Sequence, residues 1–152
     1  MPSHSFFVKT DWPGMRNDIG SLNSATIHTK ISIPHEMDGP GIGTNPDEML
    51  LGAAATCYII TLAAMLERSR IPKVSLTMDS EGIVDSEKGI ITYKKIIHRP
   101  RLVLSKECTE KDCNTAKKLA VKAEHSCMIT RAIKGNVMVE LEETISIEDS
   151  TE

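Results

Sequence analysis

Aromatic side chains are scarce in this chain: its 152 residues include one tryptophan, two tyrosines and two phenylalanines. Any core must be filled mainly by aliphatic side chains, with eight methionines as soft apolar bulk. An excess of basic charge is also missing. Eighteen Lys and Arg stand against 21 Asp and Glu, for a formal charge of −3. Without a basic stripe to track phosphates, a nucleic-acid partner is excluded. The first residues, MPSHSFFVKTDWPG, lack the basic and apolar regions of a secretory signal. The expected compartment is therefore the reducing cytoplasm, and the four cysteines are read as thiols, a metal site or a redox pair rather than a disulfide scaffold. The sequence contains no Gly-x-Ser-x-Gly elbow, no His-Glu-x-x-His helix and no Cys-x-x-Cys pair. The glycines of PHEMDGPGIGTNP (34–46) have no nucleotide-binding spacing. No repeat or linker divides the chain, which predicts a single α+β domain over residues 1–152.

What is present is organised around TNPDEMLLGAAATCYIITLAAMLER, residues 44–68. Asn45 suits a helix cap, Pro46 the first helical position, and Glu48 the return contact of a capping box. From Met49 to Leu66 no side chain is charged, so the helix is apolar on nearly every side and is expected to be buried. Its small residues and acidic entry argue against a membrane span. A strand is expected at 4–10, a loop at 15–23, and a half-buried strand where Ala25, Ile27, Thr29, Ile31 and Ile33 alternate with polar residues. His28 falls on the polar face of that strand, as a solvated residue. A second strand is predicted from Val74, with a turn at 85–89. A third, IITYKKIIH, is expected to be interrupted at Pro100 by an edge or a bulge. A helix starts at Thr109–Asp112 with an apolar stripe from Cys113 to Ala123, and a short helix, CMITRAIKG, follows. Residues 137–141 form the last predicted strand, and the acidic tail from 143 to 152 is expected to fray.

The cysteines differ in setting. Cys57 lies about three turns into the long helix, beyond reach of that helix's own dipole, and needs help from elsewhere in the fold to become a nucleophile. Cys127 sits at the mouth of the short helix near His125 and Arg131, where local sequence favours a thiolate. Cys113 reads as core and Cys108 as a loop thiol. A metal site of Cys108, Cys113, His125 and Cys127 matches no common zinc spacing. Arg16, in its loop, reads from composition as a solvated charge.

NPDEMLLGAAATCYIITLA and AEHSCMITRAIKGNVMVEL resemble the two cysteine segments of the OsmC/Ohr family (osmotically inducible protein C and organic hydroperoxide resistance protein), and the likeness covers most of the chain. The resemblance implies an α+β fold with sheets around central helices and an intertwined homodimer. It also implies a thiol-dependent peroxidase acting on organic hydroperoxides, with no cofactor. Cys57 matches the family's peroxide-attacking cysteine and Cys127 its resolving cysteine. Arg16 is the best match to the activating arginine. Asp47 stands where the family usually has glutamate, with Glu48 beside it. An external dithiol, a lipoylated protein or a small thiol, is the implied reductant. Two other classes stand beside this reading: a non-catalytic, stress-associated binding protein whose cysteines are core residues, and a thiol hydrolase using Cys127 and His125.

Overall fold

The structure, a computed structural model, describes residues 1–149. Its contacts group into two compact units, Met1–Met49 and a second from Leu50 onward, with the boundary inside the long helix.

The first unit is a three-stranded antiparallel sheet in the order β1 (Lys9–Asp11), β2 (Gly20–Asn23), β3 (His28–Ile31). The strand expected at 4–10 starts later, and the expected loop at 15–23 contains β2. The alternating run from Ala25 divides for a local reason. Ser24 Oγ accepts the amides of Thr26 and Ile27, and the Ser24 amide donates to the Ile27 carbonyl. This turn takes the first half of the pattern and leaves only His28–Ile31 as strand. His28 is exposed, as expected, with Nδ1 2.9 Å from Asn23 Oδ1. Gly20 is required where it stands, because a Cβ would lie 2.4 Å from the Asp11 carbonyl oxygen and 2.6 Å from the Trp12 ring. Beyond β3 the Pro- and Gly-rich loop folds back. Ser32 Oγ both donates to the Ile42 carbonyl and accepts the Ile42 amide, each at 2.8 Å.

Helix α1 spans Pro46–Arg68. Asn45 Oδ1 accepts the Glu48 amide at 2.9 Å, the expected cap, but Glu48 Oε1 takes the Thr44 hydroxyl at 2.6 Å instead of closing the box. The expectation of burial on all sides needs correction within one chain. A single i, i+4 stripe of Ala54, Tyr58, Leu62 and Leu66 is buried, whereas Ile60 is 62% exposed.

In the second unit, β4 (Lys73–Glu87) and β5 (Ile90–Leu104) form a long antiparallel hairpin. Lys88 and Gly89, both at positive φ, make its two-residue turn. Pro100 is neither on an edge strand nor at a bulge. It pairs with Met78 on one side, and on the other it lies where the parallel neighbour of β5 changes from β6 (Met138–Leu141) to β7 (Thr144–Ile147). A missing amide donor is tolerated at such a break in the ladder. The tail expected to fray contains β7, because Ile145 and Ile147 pack against the core; residues 150–152 lie outside those described.

Helix α2 (Glu110–Ser126) carries a reciprocal Thr109–Asp112 capping box and buries Ala116, Ala120 and Ala123. Its lysines are exposed, as the stripe predicted. The core joins this face to Tyr58, Leu62 and Leu66 of α1 and to Leu102 and Leu104 of β5. Helix α3 (Met128–Ile133) follows after a single residue, Cys127, whose φ of −55° and ψ of 124° break the helical path.

Candidate active site

Cys57 lies on the half-buried flank of α1, one residue before the fully buried Tyr58. Tyr58 anchors that turn. Its hydroxyl donates to the Ala120 carbonyl of α2 at 2.9 Å, and its ring stacks on His98 of β5 with centroids 5.3 Å apart. Thr61, one turn further on, donates its hydroxyl to the Cys57 carbonyl at 2.7 Å and lies against the sulfur.

Cys127 is fully buried at the α2–α3 junction, and its thiol is hydrogen-bonded to that of Cys57. Both are free thiols. The backbone amides of Ile129 and Met128, in the opening turn of α3, also point at the Cys57 sulfur. These donors come from positions whose amides have no partner inside the helix. Burial is the largest influence on Cys57 and disfavours its thiolate. The hydrogen bonds from Cys127, Ile129 and Met128, with a smaller contribution from the neighbouring Thr61 side chain, together outweigh it, so the Cys57 thiol is held below the ordinary thiol range. Cys127 moves the other way. Burial pushes it up, and its hydrogen bond to Cys57 adds to that, against smaller opposing contributions from the side chain and amide of Thr130. Of the two, Cys57 is the cysteine that ionises more readily and Cys127 the one that holds its proton more firmly.

This reverses the local argument from sequence. The mouth of the short helix favours a thiolate, but on the cysteine that faces it from α1 rather than on the one at its cap. The three largest contributions favouring the Cys57 thiolate come from residues 127–129.

The remaining sequence candidates sit as follows. Arg16 is exposed, and its guanidinium donates to the carbonyls of Met37 (3.1 Å) and Asp38 (3.3 Å) and to Asn17 Oδ1 (2.8 Å), all within the first unit. Asp47 is half-buried in the first turn of α1, and exposed Glu48 is engaged by Thr44. His125 faces solvent, with Nδ1 3.5 Å from Glu124. The four residues weighed for a metal site are split by α2: Cys108 and Cys113 lie at its start and Cys127 at its end, across about 25 Å of helix rise. Cys108 directly precedes the capping box and Cys113 packs against the core, so both brace the start of the helix.

Three participants were missed in the sequence. Thr61 has a signal, since it is four residues from Cys57 on one helix face. Thr130 has a similar one, three residues beyond Cys127. His98 has none, because only the stacking of β5 on α1 brings it to the Cys57 turn.

A family model described as OsmC-like protein matches residues 39–142. The chain belongs to the OsmC-like protein family. Among its relatives, the uncharacterized protein YmaD of Bacillus subtilis (strain 168) is 60% identical over 147 residues, covering 97% of this chain and 98% of that one. The fold agrees with solved OsmC-like structures. An organic hydroperoxide resistance protein OsmC from Legionella pneumophila superposes with a TM-score of 0.76 at 21% identity, covering 95% of this chain and 99% of that one. The organic hydroperoxide resistance protein OhrB of Bacillus subtilis gives 0.65 at 21% identity, covering 91% and 98%. At these identities the likeness speaks for the OsmC-like fold, which agrees with the α+β class expected from the sequence.

Proposed function

We propose that this protein is a cofactor-independent thiol peroxidase that reduces organic hydroperoxides. The observation carrying this reading is the hydrogen-bonded pair of Cys57 and Cys127, polarised by the opening turn of α3. The names of the Legionella and Bacillus structures point the same way.

The Cys57 thiolate attacks the terminal, hydroxyl oxygen of the hydroperoxide O–O bond. That bond breaks, Cys57 becomes a sulfenic acid, and the leaving alkoxide takes a proton from Cys127 to depart as alcohol. Cys127, now a thiolate beside the sulfenic sulfur, displaces hydroxide, which leaves as water after taking a proton from solvent, and the Cys57–Cys127 disulfide forms. Two electrons have passed from two thiols to the peroxide. An external thiol, from a lipoylated protein or a small molecule, restores both cysteines.

In the same proposal Arg16 holds the thiolate and polarises the peroxide, while Asp47 or Glu48 orients its guanidinium. The protein acts as a cytoplasmic homodimer, since the apolar flank of α1 around Ile60 lacks cover in one chain.

Hydroperoxide consumption in the presence of dithiothreitol tests the reading. Cys57→Ser should be inactive. Cys127→Ser should reduce about one equivalent and then accumulate sulfinic acid on Cys57, seen by mass spectrometry. Undiminished turnover by Cys57→Ser would refute the proposal.

A further inference from the structure

A cleft of about 660 Å³ opens beside α3, between the end of α2 and the start of β6. That volume is in the range of small-molecule sites. Lys94, Arg131 and Lys134 line it, with Glu124 as the one carboxylate, 3.5 Å from His125. The local charge is positive in a chain whose formal charge is −3. Thr130 is a wall of the same cleft and, on its other side, acts on the Cys127 sulfur. Its hydroxyl is buried and has no nitrogen or oxygen partner among the described residues.

We infer that this cleft docks the acidic group of the thiol that regenerates the protein, a small carboxylate-bearing thiol. The inference rests on the peroxidase reading above and names the reductant class for that site. Lys94, Arg131 and Lys134 draw in the carboxylate, and rotation of Thr130 opens the way to Cys127. The incoming thiolate attacks Cys127 Sγ. The protein disulfide breaks, the new mixed disulfide forms on Cys127, and Cys57 leaves with the electron pair. Cys57 is the better leaving group because its thiolate is the stabilised one. A second thiol attacks the reductant's sulfur in the mixed disulfide and releases Cys127, which takes up a proton. Two thiols are oxidised to one small disulfide, and one protein disulfide is reduced.

The test starts from protein oxidised by diamide, so that it does not depend on hydroperoxide turnover. Reduction by mercaptosuccinate is compared with reduction by thioglycerol at equal thiolate concentration in low salt. Mercaptosuccinate should be about tenfold faster, and salt should erase the advantage. The double variant Lys94→Gln/Lys134→Gln should lose that advantage while keeping the wild-type rate with thioglycerol. A quenched reaction should carry the mixed disulfide on Cys127. Equal rates for the two thiols, an advantage that survives in the double variant, or a mixed disulfide on Cys57 would overturn the inference. Failure of diamide to link Cys57 to Cys127 would overturn both this inference and the peroxidase reading. A protein that shows the thiol preference but consumes no hydroperoxide would keep the cleft assignment and lose the peroxidase.

Discussion

Tyr58 stacks on His98 with ring centroids 5.3 Å apart and planes 19° from parallel, and both side chains are fully buried. The pair ties the turn of α1 that carries Cys57 to the central strand β5. Ser80 Oγ holds His98 Nδ1 at 2.7 Å, and the Tyr58 hydroxyl reaches across to α2. In a chain so poor in aromatics, two rings fix the turn that carries Cys57.

Tyr58→Phe keeps the stack and removes one buried hydrogen bond. It should cost about 1 kcal/mol, read from urea unfolding. Tyr58→Ala also opens a cavity and should cost about 3–5 kcal/mol. A loss of several kcal/mol from the phenylalanine variant would mean that the hydroxyl does more than hold Ala120.

His98 gives the stability a defined pH dependence. Burial lowers its pKa to about 4, from 6.5 in the unfolded chain. The native state therefore favours the neutral ring, and the unfolded state binds the extra proton between these values. The stabilisation is fully present above pH 6.5 and is lost as pH falls towards 4. Full development of that shift corresponds to about 3 kcal/mol. Unfolding free energies measured at intervals through this window should fall with acid, and His98→Gln should flatten that slope.

The thiol pair predicts a specific response to substitution at Cys127. Cys127→Ala removes the largest of the hydrogen bonds that favour the Cys57 thiolate, so the Cys57 titration should move upwards. Cys127→Ser retains a donor and should move it less. Ultraviolet thiolate absorbance against pH, with Cys108 and Cys113 replaced by Ala, measures both. An unchanged Cys57 titration in the alanine variant would leave the α3 amides as the main source of activation.

Gly52 tests the proposed homodimer. Around an added Cβ at this position there is open space within one chain. In an isolated chain Gly52→Ala should stabilise α1 by about 0.5–1 kcal/mol, since glycine is costly inside a helix. If two α1 helices cross antiparallel with Gly52 at the two-fold axis, Asp47 of one chain approaches Cys57 of the other. A larger side chain would then separate them. Sedimentation of Gly52→Leu should show a folded chain with weakened association; undisturbed dimerisation would move the crossing point elsewhere.

Much of this fold was legible locally. The charge-free run with its Asn45 cap marked α1, the Thr109–Asp112 pair marked α2, and alternation marked the starts of β4 and β6, because each signal depends on chemistry a few residues apart. Other elements depended on distant neighbours. The residues after Glu142 look like an acidic tail, yet Ile145 and Ile147 become strand once β5 offers a parallel edge beyond Pro100. Similarly, β2 lies in a stretch without period and exists because β1 and β3 flank it.

The site divides in the same way. The sequence by itself marked Cys57 and Cys127 as the chemical candidates and recognised a helix mouth beside Cys127. Which sulfur benefits was a tertiary decision. The unpaired amides of a helix's first turn point outwards along its axis, so they stabilise an atom lying in front of the helix rather than one belonging to its cap. Packing of α1 against the α2–α3 junction puts the Cys57 sulfur there, with the Cys127 thiol as its partner.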